Sequence, residues 1–466
     1  MKGTIDLLST EEITEIHHAS LEILETVGME IQDDEIRQLL HFHGARLEDS
    51  RVYFPRELVE WAIDHSQKEH IMYARNPDKT VYPARSDVTL LTNSIFCTHI
   101  YDWKLHRKRP STIADSIEFT RISNFYDEIA FYAATLLPMD CPANLSELYA
   151  LYNALYYSDK HCHCYFSSPE SARYAVSLAE AVAGGEEALR RRPLFTANLP
   201  ALTGLSLSRK ECATIGIFAK HGIPILTFCS LMTCITAPQS IAGTLALSNA
   251  AILGVLTMIK AINPEAILLY ATDTCTPNPY NNSVDYDASE YVLFSSANRQ
   301  LADHYGLVSA TAHDCSEVEP SSFPVVQGYR LRQLRNLMVR SNTCFCAGGY
   351  DFSLFASQLD LILAYEIYSD LKPLQADTPL FSQGAGADMV AAYLDDGLSD
   401  VTRRACFSVK KNYYTFMQQD YRTFINDKIN WILSQPPDIP APEIQARMDA
   451  VMDEAREALA KGGSLG

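Results

Sequence analysis

The chain has 466 residues, a formal net charge of −19 and apolar side chains at 47% of positions. It is long enough to bury a large core, and its acidity argues against non-specific nucleic-acid binding, which rests on cationic contacts with phosphates. Its 12 cysteines are scattered through a long chain, which excludes a small disulfide-built scaffold.

In chain order, the opening residues Met1–Thr14 lack the basic and apolar segments of a signal peptide, so the chain reads as cytoplasmic. Ser9-Thr10-Glu11-Glu12 has the form of a capping box, and Ile13, Ile16, Leu21 and Leu24 repeat on one face of a helix over Ser9–Val27. Two more helices are expected near Asp34–His43 and Pro55–Ser66, followed by a hairpin over Val88–Asp102. Short apolar runs then alternate with helical patterns. The runs are Phe131–Leu137, Cys162–Phe166, Leu194–Leu199, Pro224–Cys229, Ala266–Ala271, Leu307–Thr311 and Thr343–Ala347. Between them, Ser171–Ala183, Arg209–His221, Gln239–Ile262, Ser289–Tyr305 and Tyr329–Arg340 carry apolar residues at helical spacing.

Strand and helix in alternation predict parallel strands with crossover helices, and so long an unbroken series favours closure. The fold expected is an α/β, TIM-type (β/α)8 barrel with an N-terminal helical extension and C-terminal helices. Residues 1–110 are assigned to the helical region and hairpin, 111–375 to the barrel core and 376–466 to a C-terminal helical segment. The eighth strand has no periodic signal and is expected after Asp370. A Pro436-Pro437 break precedes an amphipathic helix over Ala441–Ala460. Ile241–Ile262 is apolar enough for a membrane span, but Ser248, Asn249 and Lys260 interrupt it, and a buried barrel helix is the better reading.

The motifs of ordinary nucleotide and zinc-protease chemistry are missing: there is no Gly-x-Gly-x-x-Gly, no phosphate loop and no His-Glu-x-x-His. His161-Cys162-His163-Cys164 could supply metal ligands, but it lacks the Cys-x-x-Cys spacing of structural zinc, and no metal is expected. Cys162/Cys164 and Cys344/Cys346 each share a strand face, where thiols pack as small apolar groups.

Barrel chemistry sits where strands end, and there the sequence places rings beside carboxylates. Tyr270 and Asp273 close the fifth of these strands; His313 and Asp314 follow the sixth; Tyr350, Asp351 and Phe352 follow the seventh; Tyr101 and Asp102 lie in the hairpin. Rings with a nearby negative charge suit a quaternary ammonium ion. For any one of these residues, loop anchoring or helix capping is the plain alternative.

The order of motifs resembles the trimethylamine methyltransferase family, in its members that lack pyrrolysine. The similarity runs through Leu7-Leu8-Ser9, His43-Gly44-Ala45, Phe54-Pro55, Arg109-Pro110-Ser111-Thr112 with Asp115, and Pro138-Met139-Asp140. It continues through Gly222-Ile223-Pro224, Ala237-Pro238, Gln300-Leu301-Ala302, Tyr305-Gly306-Leu307, Gly328-Tyr329 and Ala347-Gly348. The resemblance implies a methyltransferase that moves a methyl group from a quaternary or N-methylated amine, such as a betaine, to the Co(I) corrinoid (cobalamin) of a partner protein. It implies no tightly bound cofactor of the chain's own, no membrane, and a homo-oligomer. The alternative is a barrel that binds a small cation without methyl transfer.

Site residues follow from both readings. Asp273, His313 and Asp314 are candidates for positioning, and Tyr101, Tyr270, Tyr350, Phe352 and Arg330 for substrate binding. Arg330 stands where the family carries an acid, and is expected either to pair with a substrate carboxylate or to sit on a solvent face. The family's His-Thr near the C-terminus is Tyr414-Thr415 here. Founding members carry pyrrolysine after the sixth strand; His313, Asp314, Cys315 and Ser316 stand there instead.

Overall fold

The computed structural model describes residues 4–66, 69–83, 86, 89–286, 288–312, 323–351, 353–372, 391 and 421–461. Its centre is an eight-stranded parallel sheet rolled into a nearly closed barrel. The strands are β1 (Leu90–Asn93), β2 (Tyr132–Ala133), β3 (Cys162–Tyr165), β4 (Phe195–Leu202), β5 (Ile225–Cys229), β6 (Leu268–Thr272), β7 (Ser309–Ala312) and β8 (Thr343–Ala347). Each pairs with its successor in sequence from β2 to β8, and β8 pairs with β1. All seven expected strands are present.

The eighth strand is β1, upstream of the others, and not a segment after Asp370. Leu90–Asn93 is therefore barrel, and only His99–Asp102 of the expected hairpin segment is hairpin, paired with Arg107–Pro110. The barrel thus begins before residue 111. Four residues are too few to show a period, and Thr92 and Asn93 carry no apolar signal. The remaining gap, between β1 and β2, is bridged mainly by one side chain. Thr92 Oγ1 donates to the carbonyl of Phe131 at 2.7 Å and accepts from the amide of Ala133 at 3.0 Å. Beyond it, the Cys97 amide donates to Thr135 O at 2.8 Å, and the Leu137 amide to Cys97 O at 2.9 Å.

Alternation along the strands divides two cores. Phe131, Ala133, Leu226, Phe228, Leu269, Ala271, Val308, Ala310 and Phe345 fill the barrel interior. Cys162, Cys164, Phe195, Ala197, Ile225 and Leu268 face the surrounding helices. The helix Ile241–Ile262 is buried over nearly its whole length because it is covered twice. The barrel lies on one side, and the helices Thr10–Thr26 and Arg56–Asp64 lie against it as well. Its hydropathy is that of a doubly covered helix. Lys260 near its end donates to the carbonyls of Pro264 and Ala266, at 2.9 and 2.8 Å.

The N-terminal helix is capped as the sequence predicts: Ser9 Oγ accepts from the Glu12 amide, and the Glu12 carboxylate accepts from the Ser9 amide. Gly28 follows it with φ +68°, and a Cβ there would lie 2.5 Å from the Val52 carbonyl oxygen. Gly28→Ala should therefore lower stability by about 2 kcal/mol or more, read as a shift in the urea midpoint. An unchanged midpoint would show that the turn relaxes freely. The C-terminal helix Pro442–Lys461 buries Met448, Met452 and Ala455 in the outer core and packs on the helix Pro169–Ala183. Tyr414-Thr415 lies outside the described residues.

Candidate active site

The C-terminal ends of the barrel strands enclose a cavity of about 290 Å³. Phe228 of β5 and Phe345 of β8 meet edge to face at 6.0 Å between ring centres. Tyr165 ends β3 and packs at 5.3 Å against Phe96, which follows β1. Leu199 and Pro200 of β4, Ser230, Ala312, Ser94 and Ser353 complete much of the wall. Phe96 is 37% exposed, so the cavity meets solvent at this rim. Phe96 and Ser353 both adopt left-handed backbone, with φ of 55° and 62°. Non-glycine residues held this way concentrate at ligand sites.

Among the described residues, one carboxylate faces this space. Asp273 is the first residue after β6, and strand period points it inward with Ala271 and Leu269. Tyr286 donates to its Oδ2 at 2.5 Å, and Tyr291 lies 3.1 Å from its Oδ1. Burial pushes the carboxyl up from 3.8 to about 6, against the two phenol hydrogen bonds, which lower it. The Tyr291 hydroxyl is also 3.0 Å from the carbonyl of Ala312, and its single proton can serve only one of these acceptors at a time. Arg335 backs the pair, 4.6 Å over the Tyr291 ring and donating to Tyr286 O at 3.1 Å.

Beneath the Phe345 ring the barrel interior is polar but neutral. His163 lies 5.2 Å from Phe345 and 5.4 Å from His161, and His70 lies 6.1 Å from His161. Burial holds His70 down to about 3, His161 to about 4 and His163 well below its usual value. His161 bonds Thr196 at 2.9 Å and His163 bonds Asn198 at 3.2 Å, both on β4. In the His-Cys-His-Cys motif the imidazoles therefore point inward and the two thiols outward, so the four cannot converge on one metal ion. Burial pushes the Cys162 thiol up to about 12, as expected of a packing residue.

Asp273 lines the cavity. His313, Asp314 and Phe352 lie outside the described residues, although Ala312, next to His313, is part of the wall. Tyr270 does not line the cavity: it stands three residues before Asp273, hence on the other face of the strand. Its hydroxyl donates to Asn249 of an outer helix at 2.7 Å. Tyr350 does not either. It is buried in a separate cluster and stacks on Phe355 at 5.7 Å, in a small sheet that joins Gly349–Tyr350, Phe355–Ala356 and the hairpin. Tyr101, in that hairpin, packs half-buried against the same cluster. Arg330 is half-buried on the helix Phe323–Val339 and is not among the described lining residues. Among the described residues, the rings that face the cavity are Phe96, Tyr165, Phe228, Tyr286 and Phe345. Three of them sit on predicted strands, where period two marks them as inward.

A family model described as trimethylamine methyltransferase (MTTB) matches residues 2–392. The chain belongs to the trimethylamine methyltransferase family. It is 26% identical over 308 residues to a glycine betaine methyltransferase of Desulfitobacterium hafniense strain Y51, across 65% of this chain and 63% of that protein. The match therefore spans less than two thirds of that relative's own length. Trimethylamine methyltransferase MttB of Methanosarcina barkeri strain Fusaro is 23% identical over 83% of this chain and 79% of its own. Its namesake from D. hafniense strain DCB-2 is 21% identical over 98% and 95%. The crystal structure of the M. barkeri monomethylamine methyltransferase superposes with a TM-score of 0.51 at 10% identity, over 98% of this chain and 89% of that one. That monomethylamine methyltransferase accordingly shares this chain's barrel fold.

Proposed function

We propose that this chain takes a methyl group from a small quaternary or N-methylated amine and delivers it to the Co(I) corrinoid of a separate protein, which acts as the methyl-accepting co-substrate. The observation that carries this reading is Asp273, a half-buried carboxylate in the wall of a cavity whose described lining includes five rings. A quaternary nitrogen donates no hydrogen bond, so rings and a counter-charge are what can hold it. The family membership supplies the reaction class, and the name of the glycine betaine methyltransferase favours a quaternary substrate.

In the displacement, the methyl carbon–nitrogen bond breaks with its electron pair left on nitrogen, and the two electrons of the new methyl–cobalt bond come from the acceptor. The amine departs neutral, so no proton has to be delivered. What remains for the protein is placement. Phe228, Phe345 and Tyr165 would exclude water and fix the head group, while Asp273 would oppose its charge until the bond breaks. The neutral imidazoles below add no competing cation.

A methyl-transfer screen tests this, with Co(I) cobalamin as acceptor and a panel of N-methylated amines as donors, followed by corrin absorbance. At least one quaternary amine should methylate the corrin at a rate that depends on the protein. Binding of such amines without any methyl transfer would instead favour a cation-binding barrel.

A further inference from the structure

We infer that the site prefers cations whose far end carries no acid: choline-like quaternary amines with a hydroxyl or alkyl tail, over betaines. This rests on the amine reading above and adds to it the charge of the tail. A cavity of about 290 Å³ holds a trimethylammonium head and a short tail together, so the tail cannot leave the field of the group that binds the head. Among the described lining residues, the only one normally charged at neutral pH is Asp273. A betaine carboxylate would enter this space as a second negative charge close to Asp273.

Among the described residues, the neighbouring cations each have partners of their own. Arg335 lies behind the Tyr291 ring and bonds the backbone of Tyr286. Lys108 of the hairpin pairs with Asp351 at 3.2 Å and lies 3.9 Å over the Phe355 ring. Arg109 pairs with Asp102 at 3.1 Å and with Asp115 at 2.7 Å. By contrast, a hydroxyl tail suits the wall. Ser94 and Ser353 lie 3.3 Å apart at the rim, and Ser230 and Tyr165 add hydroxyl groups that can donate or accept.

Calorimetric titration of the full chain at about pH 8, where Asp273 is ionised, decides the matter. The probes are choline, glycine betaine and the uncharged carbon isostere of choline. Choline should bind about tenfold or more tightly than glycine betaine, and Ser230→Lys, which adds a cation to the wall, should reverse that order. Glycine betaine binding to the wild type as tightly as choline, or more so, overturns the inference and leaves the amine reading standing. If neither cation binds more tightly than the uncharged isostere, the amine reading falls, and this inference with it.

Discussion

Asp273→Asn should weaken binding of a quaternary amine by about 100-fold at about pH 8 and leave its uncharged isostere nearly unaffected, because the variant removes a desolvated counter-charge and little else. The wild type should also show a pH dependence that the variant lacks. The cation binds the ionised carboxyl, which in the free protein titrates near about 6. Affinity should therefore be flat above that value and fall about tenfold per pH unit well below it. Stability should move the other way. With the folded value raised from 3.8 to about 6, the folded protein keeps a proton that the unfolded chain gives up in this window. That contribution is present in full below 3.8, is lost as pH rises to about 6, and amounts to at most about 3 kcal/mol. Among the described groups facing the carboxyl, burial pushes the Cys275 thiol up to about 12 and the Tyr291 phenol well above its usual value, so neither titrates in this window. Asp273→Asn should then unfold at no lower urea concentration than the wild type above pH of about 6, while binding far worse. Equal loss of the cation and its isostere, or a large loss of stability, would make Asp273 a structural residue.

Thr92→Val should cost about 2–4 kcal/mol, among the largest effects of any nearly isosteric change in this chain. The methyl group fills the same volume but leaves the Ala133 amide and the Phe131 carbonyl without the partner that bridges β1 and β2. Thr92→Ser keeps the hydroxyl and should recover most of the loss. Urea unfolding of the three proteins measures both effects. Equal stability of the valine variant and the wild type would mean that the Cys97 backbone pairing closes the barrel by itself.

Most of the barrel could be read from periodicity, because seven of its strands are apolar runs flanked by helical patterns. β1 could not, since it is four residues long and ends in Thr92 and Asn93, whose side chains close the seam and bond Ser123 instead of joining an apolar core. The site was legible in kind. Strand-end carboxylates and rings pointed to this end of the barrel, and Asp273 lines the cavity there. Tyr270 was a misreading that the sequence itself could have prevented, since residues three apart on a strand face opposite ways. Tyr350 and Tyr101 mislead for a different reason: they follow or precede barrel strands but fold into a side sheet with its own core. Tyr286, which holds Asp273, lies thirteen residues further on in a long loop and has no periodic signal.

The seam also bears on how the chain comes together during synthesis. β1, emerging early, finds its full backbone partner only in β8, more than two hundred residues later. The N-terminal segment waits in the same way, since the amides of Leu7 and Leu8 bond the Gln300 side chain at 3.1 and 3.0 Å. From the other end, Asp449 and Gln445 of the last helix return to Tyr152 and Tyr156. A ribosome-bound chain therefore carries unsatisfied edges until translation is nearly finished. Contacts so distant in sequence make for slow maturation and for nascent chains that depend on protection from aggregation.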